Sequence, residues 1–319
     1  MSPSLPFRPL PPPLRTGDRV RLVAASSALD SDTRLRAGLR ILRSWGLEVE
    51  EGESLVGRRW GYLAGQDAER TADLEPPGPA VPPAALLACV RGGWGAARLL
   101  PEPSRPTPPW LDPTPSPQWL LGFSDVTSLL WARWARGWSG GVHGPLLTTL
   151  ANEPVWSRDR LRDLLFGHGV APLEGTGWVG GIGEGPLLAA NLTVATHLLG
   201  TPHLPDLRGA IVVFEDVGEA PYRLERMLTH WRLSGVLGQL AGVGLGSFHA
   251  CVDPDRTDEA PEHRFSAEQV LRERTADLGI PVVADLPVGH TPGNAALPVG
   301  VRARLNGDAG RLEVDARCL

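Results

Sequence analysis

The stretch WLLGFSDVTSLLWARWAR, residues 119–136, decides how this chain is read. Its first five residues are a short apolar run that ends at Ser124, which is the pattern of a buried strand. From residue 126 to 136 the pattern is helical. A serine at such a strand-to-helix junction can sit on a tight turn with its hydroxyl exposed, as in a nucleophile elbow. It can equally serve as a helix N-cap. The local pattern is G-F-S-D rather than G-x-S-x-G, so the usual elbow signature is absent.

The same alternation extends on both sides. Residues 19–25 (RVRLVAA) read as a buried strand, 33–45 as a helix with Leu35, Leu39, Ile41 and Leu42 on one side, and 47–51 as a second strand. Residues 84–90 (AALLACV) form a third strand that runs into Arg91-Gly92-Gly93-Trp94-Gly95. Strands alternating with helices predict a parallel sheet with right-handed crossovers, whose site lies at the carboxyl ends of the strands. RGGWG and GFSD both fall at such ends. Residues 75–83 and 101–117 are too rich in proline for regular helix and read as surface loops.

Residues 151–185 contain one helix, 158–166, and then a glycine-rich run, GTGWVGGIGEG. This shift in composition divides the chain into a first domain, 1–150, a linker, 151–185, and a second domain, 186–319. The second domain restarts the alternation with helices over 191–199, 221–233 and 266–277. Strands are expected over 210–214, 240–245 and 280–284. A hairpin around Asn306-Gly307 closes the chain, pairing 301–305 with 311–314.

Composition narrows the chemistry. The 319 residues hold 42% hydrophobic and 21% charged side chains, as in a globular protein with a real core. All 31 basic residues are arginine. The absence of lysine excludes a Schiff-base lysine, a Ser-Lys dyad and a P-loop lysine. A net charge of −5 disfavours nucleic-acid and anionic-membrane partners. Cys89, Cys251 and Cys318 lack metal spacing, and no H-x-x-H or H-E-x-x-H occurs, so no metal site is expected. The proline-rich N-terminus has no long apolar core, so it does not read as a signal peptide. No apolar run is long enough to span a membrane. A cytoplasmic setting is the expectation.

Three blocks supply the groups of a serine-hydrolase site: Ser124, the pair Glu215-Asp216 after an apolar strand, and His290 in PVGHTPGN. A serine hydroxyl becomes a competent nucleophile when a base takes its proton and a carboxylate orients that base. Each block has a plainer reading. The carboxylates can cap the helix near Pro221, and His290 can be an exposed loop residue. RGGWG can offer backbone amides to an oxyanion or simply turn the chain. His143, in Val142-His143-Gly144-Pro145, is a second candidate base or a structural histidine.

Taken together, RGGWGAARLLP from Arg91, LLGFSDVTSLL from Leu120, GVHGP from Gly141, NLTVATHLLGTP from Asn191, VFEDVGEAPYRLERMLTHWRLSGVL from Val213 and PVGHTPGNAALPVGVRARL from Pro287 resemble the serine LD-carboxypeptidase family. The family includes murein tetrapeptide LD-carboxypeptidases and microcin C immunity proteins. The resemblance implies an α/β fold, with an N-terminal Rossmann-like or flavodoxin-like parallel-sheet domain and a C-terminal swivelling β/α domain, usually dimeric. It implies a triad of Ser124, Glu215 and His290, and an oxyanion hole from the amides of Gly93 and Asp125. Trp94 and Asn191 become candidate substrate contacts. The implied reaction is hydrolysis of an L,D peptide bond in a small murein peptide, with no cofactor. The alternatives are a peptidase for peptidyl- or aminoacyl-nucleotide antibiotics and a non-catalytic peptide-binding protein. The chain departs from the family pattern at Ala189-Ala190, where Gly-Gly is usual, and at Trp94, where tyrosine is usual.

Overall fold

The computed structural model describes residues 9–50, 55–78, 81–113, 118–253, 260 and 263–315. The first half alternates strand and helix: β1 (Arg19–Val23), α1 (Thr33–Ser44), β2 (Glu48–Val49), α2 (Asp67–Ala72), β3 (Leu86–Cys89), β4 (Trp119–Gly122), α3 (Thr127–Ala135), β5 (Gly141–His143) and α4 (Leu147–Leu150). The five strands are parallel, in the order β5-β4-β3-β1-β2. Strands β3 and β4 are buried along their whole length, which explains their unbroken apolar sequences.

The second half carries α5 (Val155–Leu165), β6 (Leu173–Glu174), β7 (Thr176–Val179), β8 (Ile182–Asn191), α6 (Leu192–Leu198), β9 (Ile211–Val217), α7 (Pro221–Leu233), β10 (Gly242–His249), α8 (Ala267–Thr275) and β11 (Val282–Ala284). Next comes β12 (Leu297–Pro298), then the hairpin of β13 (Arg302–Asn306) and β14 (Arg311–Val314). The second sheet has the order β6-β14-β13-β8-β9-β10-β11-β7. Its centre, β8 to β11, is parallel, and its flanks are antiparallel. The architecture is thus two α/β domains with mixed and parallel sheets.

Two features differ from the sequence expectation. Residues 151–185, expected as a linker, supply α5, β6, β7 and the start of β8, and those three strands belong to the second sheet. Their glycines mark crossings where backbone meets backbone. A Cβ on Gly177 would lie 2.0 Å from the Gly307 carbonyl oxygen, and one on Gly185 would lie 1.9 Å from that of Gly209. The run looks like a loop because a strand packed this closely against a neighbouring turn admits no side chain. In addition, β12 leaves the second half and pairs antiparallel with β5, so it completes the edge of the first sheet.

A hydrophobic core joins the halves. One cluster runs from Val23, Leu87 and Leu120 of the first sheet through Trp131 of α3 to Phe214, Trp231 and Val243. The Trp131 indole meets Trp231 edge-on at 6.3 Å and donates to the Ala189 carbonyl at 3.0 Å. Ala189 and Ala190 are fully buried in β8, directly beside Val213 and Phe214 of β9. Cys89 and Cys251 are buried free thiols, and burial pushes Cys89 up to about 12 and Cys251 to about 11. Both therefore stay protonated and unreactive. Cys318 lies outside the described residues. Among the described residues no helix is long and apolar enough to cross a membrane.

The close crossing at Gly185 gives a direct test. Gly185→Ala must push β8 away from residue 209 and is expected to lower stability by about 1–3 kcal/mol, as overpacking does. A urea midpoint equal to that of the wild type would show that the crossing tolerates a side chain.

Candidate active site

Ser124 lies one residue beyond β4, after Phe123, and opens a single 3₁₀ turn that leads into α3. Its φ is 63°, a left-handed conformation that costs a residue with a side chain about 1–3 kcal/mol. The N-cap positions of that turn and of α3 are Phe123 and Val126, and the Ser124 hydroxyl meets His290 instead. The sharp turn is thus that of an elbow that presents the hydroxyl, rather than that of an N-cap.

His290 meets that hydroxyl. Its Nε2 lies 3.1 Å from Ser124 Oγ, and its Nδ1 lies 2.6 Å from Glu215 Oε2. Ser124 belongs to the first sheet's strand end, Glu215 to β9 of the second sheet, and His290 to the loop between β11 and β12. Glu215 is fully buried, while His290 is partly accessible. Burial opposes a charged imidazole. The Glu215 carboxylate outweighs this and holds His290 above the ordinary imidazole range.

The loop geometry depends on glycine at two places. Gly289 has φ 121°, and a Cβ there would lie 2.5 Å from Ser247 Oγ and 2.8 Å from Glu215 Oε2. A Cβ on Gly92 would sit 3.0 Å from Ser124 Cβ and 3.1 Å from its Oγ, so the backbone after β3 runs directly past the serine. Gly93 follows at that close approach. Asp125 is buried, and its Oδ2 accepts the Ala96 amide at 2.8 Å, which ties the elbow to the RGGWG loop. Burial raises the Asp125 carboxyl above its usual range, although the Ala96 amide pulls it back in part.

Glu215, singled out by the family resemblance, and the neighbouring Asp216 divide the work. Asp216 accepts from Asn191 Nδ2 at 3.0 Å and from the Thr193 amide and hydroxyl at 2.9 and 2.8 Å, so it holds the start of α6. Asn191 caps the same helix through Oδ1, which accepts the Val194 amide at 3.1 Å. Asn191 is only 4% exposed, with both side-chain polar atoms engaged. Trp94 is 39% exposed and meets His197 edge-on at 5.8 Å. His143 is fully buried, and both ring nitrogens lack a hydrogen-bond partner among the described residues. Burial, with the nearby His290 charge, pushes it down to about 3, which makes it a poor base. It packs edge-on to Phe123 at 5.8 Å, and Phe123 lies 4.8 Å from the His290 ring.

Sequence reasoning missed Arg70 and Glu153. Arg70 is fully buried on α2, donates to the Gly95 carbonyl at 2.7 Å, and also bonds the Ala25 carbonyl and Asp67. An arginine within a short polar helix carries no local sign of this task. Glu153 lies 7% exposed ahead of α5 and holds the backbone beyond His290. Among the described residues no group of three or more His, Cys, Asp or Glu side chains is arranged to hold a metal ion.

The coupling of His290 to Glu215 predicts its titration. In a ¹H–¹⁵N NMR titration, His290 is expected to keep its proton to higher pH than a free imidazole. Glu215→Gln removes the carboxylate but keeps the burial, so the midpoint should move down. An unchanged midpoint in that variant would remove Glu215 as the cause.

The family model for the LD-carboxypeptidase N-terminal domain matches residues 20–144, and that for the LD-carboxypeptidase C-terminal domain matches residues 184–305. A putative carboxypeptidase of Synechocystis is 48% identical over 97% of this chain and 98% of its own length. The murein tetrapeptide carboxypeptidase of Pseudomonas aeruginosa is 34% identical, covering 91% of this chain and 94% of itself. The crystal structure of muramoyltetrapeptide carboxypeptidase from Oxalobacter formigenes superposes with a TM-score of 0.76 at 27% identity, over 93% of this chain and 97% of that one. The chain belongs to the LD-carboxypeptidase family and is a serine peptidase.

Proposed function

We propose that this protein removes the terminal D-alanine from murein tetrapeptide by hydrolysing the L,D peptide bond, with Ser124, His290 and Glu215 as its triad. The observation that carries the reading is the single imidazole, hydrogen-bonded at once to a strained serine and to a buried carboxylate. As Ser124 Oγ attacks the scissile carbonyl carbon, His290 Nε2 takes the hydroxyl proton. Glu215 stabilises the resulting imidazolium. The amides of Gly93 and Asp125 donate to the tetrahedral oxyanion, each worth about 10²–10³ in rate. His290 then protonates the leaving amine of D-alanine. Water attacks the acyl-enzyme in the second half, gives its proton to His290, and the proton returns to Ser124 Oγ.

Support for the oxyanion assignment comes from Gly92, which brings the backbone within side-chain contact of Ser124, and from the Asp125–Ala96 bond that joins the two loops. Trp94 is assigned to the substrate wall by its exposure beside that loop. The enzyme is proposed to act on small peptides in the cytoplasm as a homodimer.

The test is release of D-alanine from purified murein tetrapeptide by the wild type and by Ser124→Ala. Release by the wild type, with loss of at least about 10³-fold in the variant, is expected. Equal release by both would remove Ser124 as nucleophile. No release by folded wild type, with cleavage of an aminoacyl-sulfamoyl nucleotide instead, would move the substrate to the antibiotic class.

A further inference from the structure

The loop that carries His290 has no regular structure over residues 285–296, yet the imidazole must hold two hydrogen bonds at once. Its order comes from across the molecule. Glu153, in the turn between α4 and α5, accepts the Gly293 amide at 2.7 Å and the Asn294 amide at 3.0 Å on the same oxygen, Oε2. Ser157 Oγ donates to the Asn294 carbonyl at 2.8 Å, and Arg160 Nε to that of Ala296 at 3.0 Å. Asn294 then passes the constraint on: its Oδ1 accepts the Gly289 amide at 2.9 Å, one residue before His290. The neck of the loop is closed by the Ala295 amide on the Pro287 carbonyl at 2.8 Å. Trp156 covers the same segment, and a Cβ on Gly293 would lie 2.8 Å from its Cζ2.

We infer that Glu153 is a positioning residue for the base, gripping the Gly293–Asn294 backbone so that Asn294 fixes Gly289 and hence His290; the inference rests on the reading of His290 as the base. Two amides on one carboxylate oxygen are charge-assisted bonds, shorter and stronger than neutral ones. A buried carboxylate otherwise costs stability, and its placement here answers to two donors that a loop without strand or helix would leave unpaired. A misplaced base loses rate rather than substrate affinity, because the binding groups are untouched.

The test compares Glu153→Ala and Glu153→Gln in D-alanine release from murein tetrapeptide. Glu153→Ala is expected to lower kcat about 10²-fold with KM within about twofold of wild type. Glu153→Gln keeps an acceptor oxygen for both amides and is expected to recover most of that rate. The low-field proton on His290 Nδ1, read by NMR at the same pH, is expected to broaden in Glu153→Ala and to persist in Glu153→Gln. A folded Glu153→Ala with unchanged kcat, or a loss carried by KM alone, would overturn the inference. So would equal loss in the two folded variants. If Glu153→Ala does not fold, Asn294→Ala reads the same path, because the Gly289 amide loses its acceptor. A kcat-selective loss is expected there, and an unchanged kcat overturns the inference. His290→Ala assayed alongside separates the two levels. Activity in that variant sinks the triad, whereas an inactive His290→Ala beside an unimpaired Glu153→Ala sinks only the role of Glu153.

Discussion

The site depends on the bond between Glu215 and His290. A fully buried carboxylate loses its hydration, at a cost of several kcal/mol unless a partner offsets it. His290 Nδ1, 2.6 Å away, is that partner, while Oε1 has none among the described residues. The same contact sets the tautomer. With the Nδ1 proton directed to the carboxylate, the lone pair of Nε2 faces Ser124 Oγ, as a base requires. It also raises the basicity of the ring. Burial, tautomer and basicity are therefore properties of one hydrogen bond, and any change at Glu215 alters all three together.

That bond forms only because backbone can pass where a side chain cannot. Gly289 lets the histidine loop run over the Glu215 carboxylate, and Gly92 lets the loop after β3 run against Ser124. Around these approaches, buried polar groups hold the loops from behind. Arg70 fixes the Gly95 carbonyl, Asp125 the Ala96 amide, and Asp216 the start of α6 beside β9. Each satisfies backbone groups that irregular segments leave unpaired. The reactive side chains are few, and most of the polar side chains buried nearby serve to place them.

Much of this was legible where the signal is local. The apolar runs of β1, β3 and β4 and the helices α1, α3 and α7 follow from pattern alone, and α7 begins and ends at the expected residues, Pro221 and Leu233. The site was legible as three junctions, since Ser124 and Glu215 lie at or near strand ends and His290 in a rigid glycine and proline loop. Local pattern does not choose between Glu215 and Asp216, because successive residues of a strand face opposite ways; only the family resemblance singles out Glu215. Asp216 meets α6, and Glu215 meets a loop 75 residues away. Strand β8 was hidden by glycines whose reason is a carbonyl in the turns before β9 and β10. Asn191, a candidate substrate contact by the family resemblance, gives its Nδ2 to Asp216 and its Oδ1 to the Val194 amide of the helix it caps. Glu153 and Arg70 could not be read at all, since their partners are backbone groups, which every residue carries.

The path of the chain after His290 explains how a site assembled from two sheets keeps its geometry. Strand β11 lies in the second sheet and β12 in the first, so the histidine loop is the covalent crossing between them. Its near end is fixed where the Ser247 amide, on β10, meets the Val288 carbonyl. Its far end is fixed where Leu297 pairs with His143, next to the strand that carries the elbow. His290 is thus referenced to the sheet of Glu215 on one side and to that of Ser124 on the other. The core of α3 and β8, with Trp131 bonded to Ala189, holds the two sheets at the same spacing. The distances from His290 to its two partners are therefore set by the closure of the chain across the junction, not by the serine, glutamate and histidine alone.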